Sequence, residues 1–142
     1  MRSIFLAGST SNVDLGDWRE ELSASLSDLP VTIFNPHRLD WGSSWYEDID
    51  CKPFREQVEW EIEKQRQADI VVVFFQPATQ APISLLELGI NIKSPGKAIV
   101  VCPPGYWKRG YVQIVCDRFA VEMVDTVGDL KEAVMKSLPT TD

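Results

Sequence analysis

The sequence predicts a doubly wound α/β fold, with five parallel strands in one sheet and helices on both faces. Two observations carry the prediction. Short apolar, β-branched runs without polar alternation recur along the chain, most clearly in Ile70–Phe75, and a strand apolar on both sides needs cover on both sides. Between these runs lie stretches with apolar residues at helical spacing, and alternation of this kind is the signature of a parallel sheet with crossover helices. A length of 142 residues suits one domain spanning 1–142, because two cores of half that size would each be marginal.

The elements follow in order. Ser3–Ala7 is a short apolar run closed by Gly8, a buried first strand. After a polar loop, Trp18, Leu22, Leu26 and Leu29 recur at helical spacing until Pro30 stops the helix. Val31–Phe34 is a second strand, cut off by Asn35-Pro36. The segment from His37 to Pro53, with Trp41, Trp45 and Tyr46, is long for a loop inside a compact domain, and such loops are usually functional. Phe54, Val58 and Ile62 mark a charged amphipathic helix to about Ala68. Ile70–Phe75 is the third strand. Pro82 suits the first position of the next helix, which breaks at Ser94-Pro95-Gly96. Ala98–Cys102, Lys108–Arg118, Phe119–Val124 and Val127–Leu138 complete the series as strand, helix, strand and helix. The arrangement expected is Rossmann-like or flavodoxin-like. In such sheets ligands sit beyond the carboxyl ends of the strands where strand order reverses, which directs attention to Gly8–Asn12, Asn35–Pro53 and Gln76–Glu87.

Composition narrows the function. Twenty-one acidic against fourteen basic residues leave a formal charge of −7, which argues against DNA or RNA as partner, since polyanion binding rests on neutralised phosphates. No apolar run is long enough to span a bilayer, so no membrane association is expected. Met1–Ala7 is too short for a secretory core. Cys51, Cys102 and Cys116 form an odd set without C-x-x-C spacing, as befits a reducing compartment. The cytoplasm is the expected location. His37 is the single histidine and no G-x-S-x-G occurs, which speaks against a serine triad. One histidine and scattered cysteines give no zinc spacing, and Gly96-Lys97 lacks the rest of a phosphate-binding loop. No metal and no cofactor are expected.

Carboxylate chemistry remains. Glu87 lies in the apolar stretch Ile83-Ser84-Leu85-Leu86-Glu87-Leu88-Gly89. Ser84, Glu87 and Asn91 share one helical face, which reads first as the solvated stripe of that helix, with Glu87 as a catalytic carboxylate the rival reading. Gly89 inside a helix costs roughly 1 kcal/mol relative to alanine, which suggests close approach to that backbone. A third strand rising from Asp69 climbs ~20 Å at ~3.3 Å per residue. Glu61, eight residues before Asp69 on the antiparallel helix, then stands ~12 Å up at ~1.5 Å per residue, and Glu87, five residues down from Pro82, stands near the same height. Asp69 belongs at the opposite edge, in a structural role. Glu56, Glu59 and Glu63 compete with Glu61 on the same helix. Gly8-Ser9-Thr10-Ser11-Asn12 is either a phosphate or sugar cradle or a plain capping loop. Trp41, Trp45 and Tyr46 either stack on a planar base or staple the loop; His37 reads as a loop hydrogen-bonder and Cys102 as a core residue.

At these residues the chain resembles the nucleoside 2-deoxyribosyltransferase family and the related deoxynucleoside monophosphate N-glycosidases. The likeness rests on Phe5-Leu6-Ala7-Gly8-Ser9, on Gln57-Val58-Glu59-Trp60-Glu61 followed by Ala68-Asp69-Ile70-Val71-Val72, and on Glu87-Leu88-Gly89 before a strand opened by Gly96-Lys97. It runs from Ile4 to about Asp117. The resemblance implies Glu87 as nucleophile and Glu61 as the acid that handles the base and its proton. It further implies Gly8, Ser9 and Thr10 at the sugar or 5′ group, Asn35 and Pro36 beside the nucleobase with Trp45 and Gln80, and Tyr111 in a segment shared between subunits of a homo-oligomer. The substrate implied is a nucleoside or nucleobase. Two departures stand out. Ala81 occupies the position, six before the nucleophile, where many transferases carry aspartate, and Ser11 stands where the monophosphate glycosidases place arginine.

The activity expected is cleavage of the N-glycosidic bond of 2′-deoxyribonucleosides through a covalent deoxyribosyl-glutamate, with transfer to another base or to water. The alternatives are a nucleoside-sensing module without turnover, which the Ala81 departure favours, and an interaction domain built on the tryptophan loop. Fold resemblance does not separate them.

Overall fold

The computed structural model describes residues 2–8, 18–36 and 44–138. It contains β1 (Arg2–Gly8), α1 (Trp18–Ser25), β2 (Val31–Phe34), α2 (Lys52–Gln67), β3 (Ile70–Phe74), α3 (Pro82–Asn91), β4 (Ala98–Val101), α4 (Arg109–Arg118), β5 (Glu122–Val124) and α5 (Val127–Ser137). All strand pairs are parallel, in the order β2-β1-β3-β4-β5. The five-stranded, doubly wound architecture is the one the sequence predicts. Boundaries differ by a few residues, most at β5, which starts at Glu122 rather than Phe119. Helix α1 ends at Ser25, short of Pro30.

The side chains of each strand alternate between two cores. Ile4, Leu6, Val72, Phe74 and Ile99 pack under Trp18 and Leu22 of α1 and Leu130 and Val134 of α5. Phe5, Ala7, Val71, Val73 and Val100 pack under Leu88 of α3 and Val112 and Cys116 of α4. Because β3 is buried along its whole length, its sequence shows no polar alternation.

The chain runs from β1 out to β2 and back across to β3, so strand order reverses between β1 and β3. Their carboxyl ends meet at Gly8 and Phe74. Gly8 has φ +132°, and a Cβ there would lie 2.5 Å from the Phe74 carbonyl oxygen and 2.7 Å from its nitrogen. No other residue fits this backbone without parting the strands. At the opposite end Asp69 accepts from the Ser3 N–H at 2.8 Å and pairs with Arg2 at 3.4 Å. This is the structural role expected of it.

Candidate functional site

The crevice above Gly8 is walled by α2 and α3, and both helices turn polar residues inward. On α2 the buried residues are Gln57 and Gln65. Glu61, half-buried, lies between them one turn from each. Phe54 and Val58 are only partly covered and Ile62 is exposed. These three therefore mark the helix without being its inward face. On α3 Ser84, Glu87 and Asn91 are all buried, whereas Ile83, Leu86 and Ile90 are each more than half exposed. The solvated-stripe reading of Ser84, Glu87 and Asn91 is overturned, because the polar stripe finds its partners on α2.

Those partners are specific. Gln65 Nε2 donates to Glu87 Oε2 at 2.7 Å. Asn91 Nδ2 donates to Gln65 Oε1 at 2.8 Å and to its own helix at the Glu87 carbonyl at 2.9 Å. Gln57 Nε2 approaches Glu61 Oε2 at 3.5 Å. From α1, on the other side of the sheet, buried Arg19 reaches over the end of β1, donating to the Gly8 carbonyl at 2.8 Å and the Leu6 carbonyl at 3.3 Å.

Burial dominates the electrostatics of both acids. It pushes Glu87 up to about 7; the Gln65 hydrogen bond opposes this, the charge of Glu61 adds to it, and Arg19 and the Gly8 main-chain N–H pull it down. Glu61 is likewise raised by burial, against the Gln57 hydrogen bond and Arg19. The charge of Glu61 is felt at Glu87, and both acids feel the Arg19 guanidinium. Two of the competing glutamates are placed elsewhere, Glu59 paired with Arg55 and Glu63 with Arg66 on the exposed side of α2, whereas Glu56, exposed, lines the recess beside Gln57.

The remaining candidates spread around this centre. Gly8 forms the floor. Asn35, exposed, and Pro36, buried, follow β2 on the far side of β1. Trp45 joins Pro53, Glu56, Gln57 and Trp60 around an open recess of about 320 Å³, so Gln57 connects an aromatic-walled hollow to Glu61. The Gln80 carbonyl accepts from Tyr106 Oη at 2.7 Å and Trp107 Nε1 at 3.1 Å, which ties the approach to α3 to the segment after β4. Ala81 caps α3 in the left-handed conformation at φ 51°. Tyr111 is 72% exposed on α4. It faces the groove between α3 and α4 and is not brought to Glu87 within this chain. Ser9, Thr10, His37 and Trp41 lie outside the described residues. Cys102 is fully buried, and burial raises its thiol to about 11, which fits a core role.

Sequence reasoning missed Gln65 and Arg19, and it named Asn91 and Gln57 without foreseeing their contacts with Gln65 and Glu61. The i, i+4, i+8 stripe Gln57–Glu61–Gln65 was the available signal for α2. Arg19 carries none, since its role depends on α1 lying against the end of β1.

A nucleoside 2-deoxyribosyltransferase-like family model matches residues 1–106, and the chain belongs to that family. Its architecture is similar to that in the crystal structure of a conserved protein from Enterococcus faecalis V583, with a TM-score of 0.68 at 15% identity over 97% of this chain and 99% of that one. At that identity the likeness concerns the fold. No curated protein matches the sequence. Family membership points to nucleoside-type small molecules and to transferase or glycosidase chemistry. Among the described residues no helix is long and apolar enough to cross a membrane.

Proposed function

We propose that the protein cleaves the N-glycosidic bond of 2′-deoxyribonucleosides, with Glu87 as nucleophile and Glu61 as acid and base. The observation that carries this reading is a buried glutamate, poised near 7, with a half-buried second acid acting on it at the strand-order reversal. Burial raises both carboxyls, and two interacting acids so placed favour sharing a proton over carrying two charges. The chemistry needs the charge on Glu87, where Gln65 and the Gly8 N–H favour it, and the proton on Glu61. Glu87 then attacks C1′ as the C1′–N bond breaks, and Glu61 gives its proton to the departing base. A covalent deoxyribosyl ester results; the incoming base or water then attacks C1′ as the C1′–O bond to Glu87 breaks, and Glu61, now ionised, takes the nucleophile's proton. The recess between Trp45 and Trp60 suits the planar base.

The same reading makes the protein a homo-oligomer. Ile83, Leu86 and Ile90 of α3, Trp107 just before α4, and Tyr111 and Ile114 of α4 are exposed, and Tyr111 also lines a groove of about 460 Å³. A Cβ on Gly89, in that groove, would meet nothing within 4 Å. Nothing among the described residues crowds that position, which leaves its backbone open to approach by a second copy. Three free, buried cysteines suit the cytoplasm.

Glu87→Gln is expected to lower release of free base by at least about 10³-fold with an unchanged circular dichroism spectrum; turnover at the parent rate would refute the assignment. Incubation with and without a second base separates transfer from hydrolysis. Leu86→Glu together with Ile90→Glu should yield a monomer by light scattering.

A further inference from the structure

Glu87 is held by an amide relay whose direction is fixed. Gln65 accepts from Asn91 at its Oε1 and donates from its Nε2 to Glu87 Oε2, at 2.8 and 2.7 Å. Asn91 cannot turn over without losing its second bond, to the Glu87 carbonyl. All three side chains are buried, at 4%, 8% and 3% exposure for Gln65, Glu87 and Asn91, so water does not substitute for a lost partner.

We propose that Gln65, oriented by Asn91, is the positioning residue of Glu87, fixing the carboxyl's rotation and keeping Oε2 as acceptor so that Oε1 is the reactive and proton-bearing oxygen. This rests on the glycosidic reading above only for the word reactive; the orientation itself is a property of the three side chains. A carboxylate free to rotate presents its lone pair toward a reacting carbon part of the time, and misalignment of an attacking atom is costly. The short Gln65 N–H contact on Oε2 disfavours a hydrogen there, so the proton is directed to the other oxygen. Among the described residues the other groups facing this carboxyl are Glu61 from α2, Arg19 from α1 and the Gly8 N–H from β1, and of these only Gly8 is an amide, fixed by its own strand.

The test reads the carboxyl directly. In protein carrying ¹³C-labelled glutamate, with the Glu87 signal assigned from Glu87→Gln, the midpoint of Glu87 is followed in parent, Gln65→Met and Asn91→Leu. Loss of the Gln65 donor should raise the midpoint by about one pH unit; Asn91→Leu keeps the donor but frees its orientation and should raise it by less. At pH 7 the ionised fraction then falls about fivefold in Gln65→Met. The acid limb of kcat/KM for deoxynucleoside cleavage should move by the same interval, while KM stays within about twofold. In the parent protein the Gln65 side-chain N–H signals should titrate with the Glu87 midpoint, a measurement that decides the matter even if both variants misfold. A folded Gln65→Met with an unmoved midpoint, or Gln65 amide signals that ignore the Glu87 titration, overturns the proposal. Absence of any nucleoside turnover would overturn the glycosidic reading and leave the carboxyl titration to decide the role of Gln65.

Discussion

Asp69 and Glu87 are carboxylates at opposite ends of the same two strands, and their environments push them in opposite directions. Asp69 sits where β1 and β3 begin, more than a third exposed, and the Ser3 N–H and Arg2 hold it below its ordinary value. Glu87 sits where the strands end, enclosed by α2 and α3, and burial lifts it to about 7 despite a short hydrogen bond. Both accept hydrogen bonds, so these alone do not decide the outcome. Water does. The wet acid stays ionised and staples two strands, whereas the dry one is balanced between charge states at the pH where it would react.

The comparison breaks most completely at Gly8, which closes the upper end. Gly8→Ala puts a Cβ against the Phe74 main chain at a φ unfavourable to alanine, and should cost about 4 kcal/mol from strain and overpacking together. Urea denaturation measures it. Next comes pH. Glu87 binds its proton more tightly folded than unfolded, so its contribution to stability is complete below about 4.5 and is lost as pH rises through about 7. That decline is roughly 3 kcal/mol, and Glu87→Gln should remove it, making the variant more stable than the parent at pH 8 but not at pH 4.5. An unaltered decline in the variant would assign it to other groups. Arg19→Met takes donors from two strand carbonyls and a positive charge from both glutamates. It should cost about 2 kcal/mol and shift the Glu87 midpoint upward. The smallest effect belongs to the lower end. Asp69→Asn should cost about 1 kcal/mol, since the pair is partly exposed, with base release unaltered. Asp69 has the opposite pH sign: its stabilisation holds at neutral pH and is lost as acid protonates it below its ordinary value.

The fold was legible because each strand is a dense apolar run and each helix is punctuated: Pro82 opens α3, and Gly8 ends β1. Rise per residue on antiparallel elements singled out Glu87 and Glu61 in the sequence, and in the structure the charge of Glu61 acts on Glu87. The facing of α2 and α3 was not legible. Helical spacing tells which residues share a face, and the choice of inward face ordinarily follows hydrophobicity. Here Ile83, Leu86 and Ile90 outrank Ser84, Glu87 and Asn91 on any apolar scale yet point outward, because Gln65 supplies buried partners that only the packed helices bring together. Gln65 and Asn91 lie 26 positions apart, and no local pattern encodes such a pairing.

The close approach at Gly8 bears also on how such a site can change. Its floor is main chain, with no side chain to exchange and no room to add one. Substitutions that alter what the crevice accepts must therefore fall on its walls, along the inward stripes of α2 and α3 and in the aromatic recess beside Gln57. A variant library aimed at new selectivity is best spent there, with position 8 left as glycine.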